Sequence, residues 1–260
     1  LENRISSKAR LITTVSSFFE NQIQNQVPKG KFSIIPNGFD EQAMQQIEGI
    51  EQDSEMLRIG FVGTIHEWHP LRGILETLNR WITKFPDRKI ELHFHGTNKN
   101  KFISELVKNQ YPSLKESVFT HPKLPNQELL EKLARYNVLL LFNYYAYMGT
   151  KIYDYLGLKR KILFCFTDDP ESIELKNQFY PLDVNGAPES LQKKLIIKSN
   201  AGILISNADD LIQVLNALYQ ELKETGEIKC HSFGVEQFSR RIQAERLAGH
   251  VKSIVSQSKP

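Results

Sequence analysis

Predominantly apolar segments recur along the chain and alternate with helical periodicities. The segments are LITTV (11–15), FSII (32–35), LRIGFV (57–62), IELHFH (90–95), VFT (118–120), VLLLF (138–142), KILFCF (161–166) and GILIS (202–206). Apolar strands that alternate with helices form parallel sheets covered on both faces, because each crossover returns over the sheet. The sequence therefore predicts an α/β fold with a doubly wound parallel sheet from about residue 56 to about residue 225.

The helical periodicities have recognisable ends. One begins after Pro70 and stops at Pro86, one follows Asn126 as its cap, and one runs from Asn207 to Gly226. These patterns predict helices between the strands.

Composition excludes several classes of function. The 260 residues are 40% hydrophobic, which is enough for a real core. Lys and Arg number 33 against 30 Asp and Glu, so no polybasic surface indicates nucleic acid. No run approaches the roughly 18 apolar residues of a membrane span. Cys165 lies in an apolar segment, as an inert buried thiol does, and has no redox spacing to Cys230, which favours a reducing compartment.

The chain starts LENRISSKAR, which is neither a signal peptide nor an initiator methionine. We expect this start to be a cut inside a longer protein, with Leu1 and Glu2 as a cloning remnant.

Small and polar groups follow four of the predicted strands. They are Gly63-Thr64, Gly96-Thr97, Pro122-Lys123 and Met148-Gly149-Thr150-Lys151. Ligands of open parallel sheets collect outside the carboxyl ends of the strands, so these groups are expected to face one crevice.

The segment GTKIYD (149–154) combines glycine, hydroxyl and lysine at the start of a predicted helix. Helix N-termini offer unpaired N–H groups and a positive dipole end, so Gly149, Thr150 and Lys151 are predicted to bind a phosphate. Asp154 falls on the same helix face and could accept from sugar hydroxyls. The alternative is a simple turn at Gly149, a solvated Lys151 and an acid favoured by the helix dipole.

The segment GFVGTIHEWHPLRG (60–73) has no third glycine of a dinucleotide fingerprint, so a nicotinamide or flavin site is disfavoured. Gly63 could bring backbone N–H groups near a phosphate, with Arg72 supplying charge. A tight turn and a solvated arginine are the alternative.

Histidines occur as two close pairs, at 66 and 69 and at 93 and 95. Metal ligation needs three or four converging groups, and His93 and His95 share one face of a strand expected to be otherwise apolar, so no metal site is predicted. His66 follows the Gly63 turn and is predicted to hydrogen-bond a ligand. Four aromatic residues near these loops could stack on a base or sugar, namely Trp68, Tyr144, Tyr145 and Tyr147.

The order of the motifs resembles the C-terminal, donor-binding half of a GT-B fold glycosyltransferase, most like glycosyltransferase family 4. The motifs are LITTVS (11–16), IIPNGFD (34–40), RIGFVGTI with LRG (58–73), LHFHG (92–96), HPKLPNQELLEKLARYNVLLL (121–141) and GTKIYDYLGLKRKIL (149–163). Together they span nearly the whole chain. The implied core is a Rossmann-like domain.

The resemblance implies three regions. Residues 1–35 would be a remnant of the N-terminal acceptor domain, comprising its last strand and helix, and residues 36–55 would be an interdomain linker or surface helix. Residues 56–260 would be the nucleotide-sugar-binding domain. Its final helix, predicted over 238–255, would cross back toward the first domain, with its apolar side either exposed or packed on residues 1–30.

The resemblance also assigns site residues. It places the donor diphosphate against Gly63, Thr64, Thr150 and Lys151, with Gly149 and His66 beside it. The base would lie near Lys123, Leu124 and the Gly96 loop, and the ribose hydroxyls on Asp154. Arg72 and Lys151 would be the catalytic cations. Ala146 stands where the family usually has an acid.

The function that this resemblance implies is transfer of a sugar from a nucleotide diphosphate sugar, of UDP or GDP type, to an acceptor hydroxyl with retention. No cofactor or metal is expected, and neither is nucleic acid. The acceptor, a sugar or a lipid-linked glycan, would be bound by the missing N-terminal domain, so that this part alone turns over poorly. Bacterial cell-envelope polysaccharide synthesis in the cytoplasm, at the inner face of the membrane, is the expected setting. Alternatives are a GT-B type sugar-nucleotide epimerase and a non-catalytic nucleotide-sugar or protein-binding module.

Overall fold

The computed structural model describes residues 8–166, 168–179 and 190–256. Its strands are β1 (Ile12–Thr14), β2 (Phe32–Ile34), β3 (Leu57–Val62), β4 (Ile90–His95), β5 (Val118–His121), β6 (Val138–Phe142), β7 (Lys161–Cys165) and β8 (Gly202–Ile205). Its α-helices are α1 (Ser17–Gln26), α2 (Glu41–Gln45), α3 (Leu71–Lys84), α4 (Asn100–Asn109), α5 (Asn126–Arg135), α6 (Lys151–Leu158), α7 (Pro170–Phe179), α8 (Leu191–Ser199), α9 (Ala208–Thr225) and α10 (Arg240–Ser256).

Six strands form one parallel sheet in the order β5-β4-β3-β6-β7-β8. The first strand of this domain, β3, lies at the centre, and the chain winds outward from it in both directions. That is the order of a Rossmann-like doubly wound sheet, in which the direction of winding reverses between β3 and β6. The predicted α/β fold class is confirmed.

Two apolar cores cover the two faces of the sheet. On one face α3, α4 and α9 pack against residues such as Phe61 and Leu140. On the other face α5, α6 and α8 pack against residues such as Leu139 and Leu141. Successive residues of β6 thus point to opposite cores, as side chains of a strand must, which explains why VLLLF is apolar throughout.

A second, two-stranded parallel sheet is formed by β1 and β2. One side of α10 contacts this unit, since His250 Nε2 and Ser33 Oγ lie 2.9 Å apart and Arg10 Nη1 donates to the Ile254 carbonyl oxygen at 3.3 Å. The other side leaves Leu247, Val251 and Val255 between 44% and 57% exposed. These apolar residues of α10 are therefore exposed, which is one of the two arrangements expected for its apolar side, whereas its contacts with Arg10 and Ser33 are polar.

All eight predicted strands are present, and Cys165 is buried as predicted. The helix behind Asn207 is also confirmed, because its side chain accepts from the N–H groups of Asp209 and Asp210. Asn126 is not a cap, contrary to the prediction. It is the first helical residue, and Pro125 occupies the cap position with no side-chain hydrogen bond.

The sequence patterns missed α4, α7 and α8. The expected remnant and linker regions contain β1, α1, β2 and the short helix α2, while residues 1–7, with the proposed cloning remnant, lie outside the described residues. In the described ranges, no helix combines the length and the apolar character needed to cross a membrane.

Candidate functional site

The candidate site lies at the carboxyl ends of β3 and β6, where the winding of the sheet reverses. Tyr155 of α6 is buried, and its hydroxyl oxygen accepts from the Val62 N–H at 3.0 Å. Burial raises the pKa of Tyr155, so the phenol stays neutral. This hydrogen bond connects α6 to the end of β3 and thereby positions the helix relative to the sheet.

The first residue of α6 lies over the turn that follows β3. Gly63 has a φ of 107°, and a Cβ there would lie 3.9 Å from Lys151 Cγ. The Gly63 N–H is not available to a ligand, because it donates to the His95 carbonyl oxygen at 3.1 Å. Gly63 therefore contributes a positive φ and open space beside Lys151. Its N–H contributes to the hydrogen bonding of the sheet.

Lys151 and Asp154 face an open pocket, here named the Lys151 groove. The groove has a volume of about 430 Å³. It is lined by Asn37, Gly38, Asn126, Thr150, Lys151, Asp154, Arg240 and Gln243, together with Pro36. Lys151 Nζ lies 3.4 Å from Asp154 Oδ2, and the two side chains are 39% and 17% exposed. The helix entrance is thus open to ligand-sized molecules.

Asp154 is the acidic group of the Lys151 groove. Burial raises its pKa above the ordinary value, although Lys151 and Arg240 act in the opposite direction. The carboxylate is therefore incompletely compensated within the protein. Hydroxyl donors from a ligand would stabilise its charged form.

The PNG motif reaches the groove through close contact with the start of α10. A Cβ on Gly38 would lie only 2.2 Å from the Phe238 carbonyl oxygen, so the approach requires glycine. Arg240 Nε donates to the Gly38 carbonyl oxygen at 3.0 Å. Sequence analysis did not predict Asn37, Arg240 or Gln243 as site residues, although Asn37 lies within the quoted motif IIPNGFD.

The predicted base-binding residues lie in the loops that follow β4 and β5. Gly96 has a φ of 60°, and a Cβ there would lie 3.3 Å from Lys123 Cα, so the loops after β4 and β5 touch. Lys123 is exposed, and Leu124 packs against the second core. From this part of the chain, Asn126 lines the Lys151 groove.

A second pocket, here named the His69 pocket, lies on the other side of the loop after Gly63. Its volume is about 140 Å³, and its lining includes His66, His69 and Arg72. Arg72 Nη1 donates to Gln110 at 3.1 Å, and its guanidinium carbon lies 5.1 Å from the centre of the Phe102 ring. The two predicted catalytic cations, Arg72 and Lys151, therefore line different pockets.

The predicted aromatic residues have different environments. The Trp68 ring stacks on His66 at 4.3 Å, whereas Tyr147 packs against Phe18 at 5.5 Å. The Tyr144 hydroxyl donates to the carbonyl oxygen of Thr64, whose side chain is exposed, at 3.1 Å. Tyr145 has a φ of 52°, and Lys176 Nζ lies 5.3 Å from its ring. Ala146, at the family's usual acidic position, is fully buried.

His93 and His95 belong to a buried cluster, the histidine stack, with His121 and Tyr136. His93 Nδ1 lies 2.9 Å from His121 Nε2, and His95 Nε2 lies 2.8 Å from the Tyr136 hydroxyl. The expectation of an otherwise apolar face was wrong, because cross-strand and helix neighbours supply these polar groups. Burial lowers the pKa of all three histidines, that of His95 to about 3.

The histidine stack does not have the geometry of a metal site. In the parts of the chain that the structure describes, no three His, Cys, Asp or Glu side chains form a group that could hold a metal ion.

The sequence matches no protein-family model and no curated protein. Solved structures, however, share the fold. The pneumococcal O-GlcNAc transferase GtfA, in complex with UDP and GlcNAc, is 12% identical with a TM-score of 0.62, over 98% of this chain and 47% of that one. A glycosyltransferase from Rickettsia africae is 13% identical with a TM-score of 0.64, over 98% of this chain and 67% of that one.

HepE from Anabaena, in complex with UDP, is 13% identical with a TM-score of 0.63, over 96% of this chain and 66% of that one. The chain spans about half the length of the first solved structures it matches. Over that length, the chain has the fold of the GT-B glycosyltransferases.

Proposed function

We propose that this chain is the nucleotide-sugar-binding half of a glycosyltransferase, which transfers a sugar to an acceptor hydroxyl with retention. The observation that carries the proposal is the placement of Lys151, which lies over the Gly63 turn at the switch point of a GT-B fold. The complexes of GtfA and HepE with UDP support a nucleotide donor.

The donor diphosphate would lie at the entrance of α6. There the Thr150 hydroxyl, the Lys151 ammonium and the helix N-terminus meet the negative charge that develops on the leaving diphosphate. Asp154, which is short of partners inside the protein, would accept from the ribose hydroxyls. Lys123, Leu124 and the Gly96 loop would border the base.

The acceptor side would belong to a further half of the protein. We propose that residues 1–35 join that half, that residues 36–55 link it to the donor domain, and that no cofactor is used. The lipopolysaccharide outer core galactosyltransferase WaaB shares the fold, which supports a role in cell-envelope glycan synthesis. We further propose that this synthesis takes place at the cytoplasmic face of the membrane.

Calorimetric titration with UDP, GDP and their sugars tests the proposal. We expect UDP to bind and Lys151→Ala to weaken it roughly 10- to 100-fold, because a hydrogen bond to a charged group contributes about 1.5–3 kcal/mol. Lys101→Ala is the matched control, since that lysine is 92% exposed on α4. Equal affinity in wild type and Lys151→Ala would contradict the proposed site.

A non-catalytic binding module is the second candidate. It is favoured by the separation of Arg72 from Lys151 and by the buried Ala146. Sugar release from a bound UDP-sugar distinguishes the two: a module binds the donor but neither transfers nor hydrolyses it.

A further inference from the structure

The loop after Gly63 is held from inside by a buried histidine. His69 is only 4% exposed, and its ring packs against Phe142 at 4.8 Å and Tyr144 at 4.9 Å. Its Nδ1 accepts from the backbone N–H of His66 at 3.2 Å. The Nδ1 atom of His69 therefore stabilises the conformation of this loop.

The other nitrogen of His69 has no acceptor. Burial and the nearby His66 hold the pKa of His69 well below its usual range, so the ring is neutral. Because Nδ1 accepts, the single proton lies on Nε2. This buried Nε2–H has no hydrogen-bond partner among the described residues. Such a donor costs stability unless another molecule supplies the acceptor, so it calls for an explanation beyond packing.

His69 lines a pocket suited to a small hydroxylated group. The volume of about 140 Å³ far exceeds the roughly 10–15 Å³ that one water requires and is smaller than drug-sized pockets. Ile65 and Leu71 form apolar walls, while the charged lining contains both signs, with Arg72 and Lys99 against Glu67 and Glu171. This mixture suits a neutral group with apolar faces that both donates and accepts.

The His69 pocket and the Lys151 groove share no lining residue, but the turn after β3 and Tyr144 connect them. Lys151 lies beside Gly63, and the next residue, Thr64, accepts from the Tyr144 hydroxyl. The Tyr144 ring in turn contacts His66 and His69. In the proposal that follows, a donor whose diphosphate lies at Lys151 would extend its sugar across this turn toward His69.

We propose that the His69 pocket binds the sugar ring of the donor and that the His69 Nε2–H donates to one of its hydroxyl oxygens. This inference rests on the proposed function and adds to it the subsite that distinguishes a nucleotide sugar from the bare nucleotide. His69 is a specificity residue in this scheme, and the diphosphate contacts remain with Lys151.

Two substitutions distinguish the hydrogen bond made by His69 Nδ1 from the hydrogen bond proposed for His69 Nε2. Asn at position 69 keeps an acceptor near Nδ1 but does not reach the pocket, whereas Gln places an N–H near Nε2. The experiment is calorimetric titration with UDP, UDP-glucose, UDP-galactose and UDP-GlcNAc. We expect at least one sugar nucleotide to bind wild type about tenfold more tightly than UDP, H69N to abolish that advantage with UDP affinity within twofold, and H69Q to retain most of it.

Several outcomes overturn the inference. If H69N keeps the preference for the sugar nucleotide, or if wild type binds UDP but prefers no sugar nucleotide, the sugar subsite is wrong while the UDP site stands. If wild type binds no UDP, the proposed function fails as well.

A second measurement avoids variants that fail to fold. In wild type labelled with ¹⁵N-histidine, the sugar nucleotide that binds best is expected to shift the His69 Nε2 resonance beyond its position with UDP alone. Identical positions would overturn the inference.

Discussion

The histidine stack and the Lys151 groove both place polar side chains beside the same parallel sheet, but one is closed and the other is open. His95 is 1% exposed, and the rings of the stack bond to one another, although His95 Nδ1 has no hydrogen-bond partner among the described residues. Lys151 is 39% exposed and has one weak partner at 3.4 Å. Polar residues in a sheet protein therefore indicate a ligand site where they line an open pocket and are incompletely paired.

The largest expected effect is a loss of stability when the histidine stack is overpacked. A Cβ at Gly60 would lie 2.4 Å from Tyr136 Cδ2, so Gly60→Ala is expected to lower the free energy of unfolding by about 3 kcal/mol. Urea unfolding measures the loss, and UDP affinity of the folded variant should stay within twofold.

Gly249→Ala is the control for this substitution. It lies in α10 with nothing within 4 Å of its Cβ and is expected to gain up to about 1 kcal/mol. Similar stability changes for the two variants would show that the stack is not tightly packed.

The second prediction concerns acid. The folded pKa values of His93, His95 and His121 lie below the usual 6.5, so the unfolded chain binds protons that the folded chain rejects. Their stabilisation is complete above pH 6.5 and is lost as the pH falls below that value, for His95 down to its folded pKa of about 3. For His95 alone the loss at pH 5 is at most about 2 kcal/mol.

Urea unfolding at pH 7 and pH 5 measures this loss. Glu91 and Arg58, which also influence the stack, keep their charges in this range and favour opposite protonation states of His93. His95→Phe should reduce the difference in stability between the two pH values. If the loss of stability between pH 7 and pH 5 were the same in His95→Phe as in wild type, the pKa of His95 would not be lowered in the folded protein.

The smallest effect is expected in the groove. Asp154→Asn removes a carboxylate whose pKa is raised by burial, so the melting temperature at pH 7 should rise slightly. UDP affinity should fall about tenfold, or about 1.4 kcal/mol, because the ribose hydroxyls lose a charged acceptor. If the variant has a lower melting temperature and an unchanged UDP affinity, Asp154 has a structural role and does not bind the ligand.

Local patterns predicted much of the fold and part of the site. Pro70 and Gly226 marked real helix boundaries, and the glycine at 63 and the lysine at 151 are adjacent in space, as the strand ends suggested. Arg240 was not predicted, because it reaches Gly38 from 202 residues away and no local pattern encodes that contact. The predicted cap at Asn126 was wrong by one position, because Pro125 occupies the cap and Asn126 is already helical.

The sequence by itself determined the class of fold, because apolar strands that alternate with amphipathic helices can bury both faces only as a covered parallel sheet. It also predicted phosphate-binding chemistry at particular strand ends, and that assignment stays a prediction. Only the tertiary structure decided that Lys151 is open, that Arg72 lines another pocket and that His69 has an unpaired N–H. Exposure and pairing depend on residues distant in sequence, and those contacts exist only once the chain has folded.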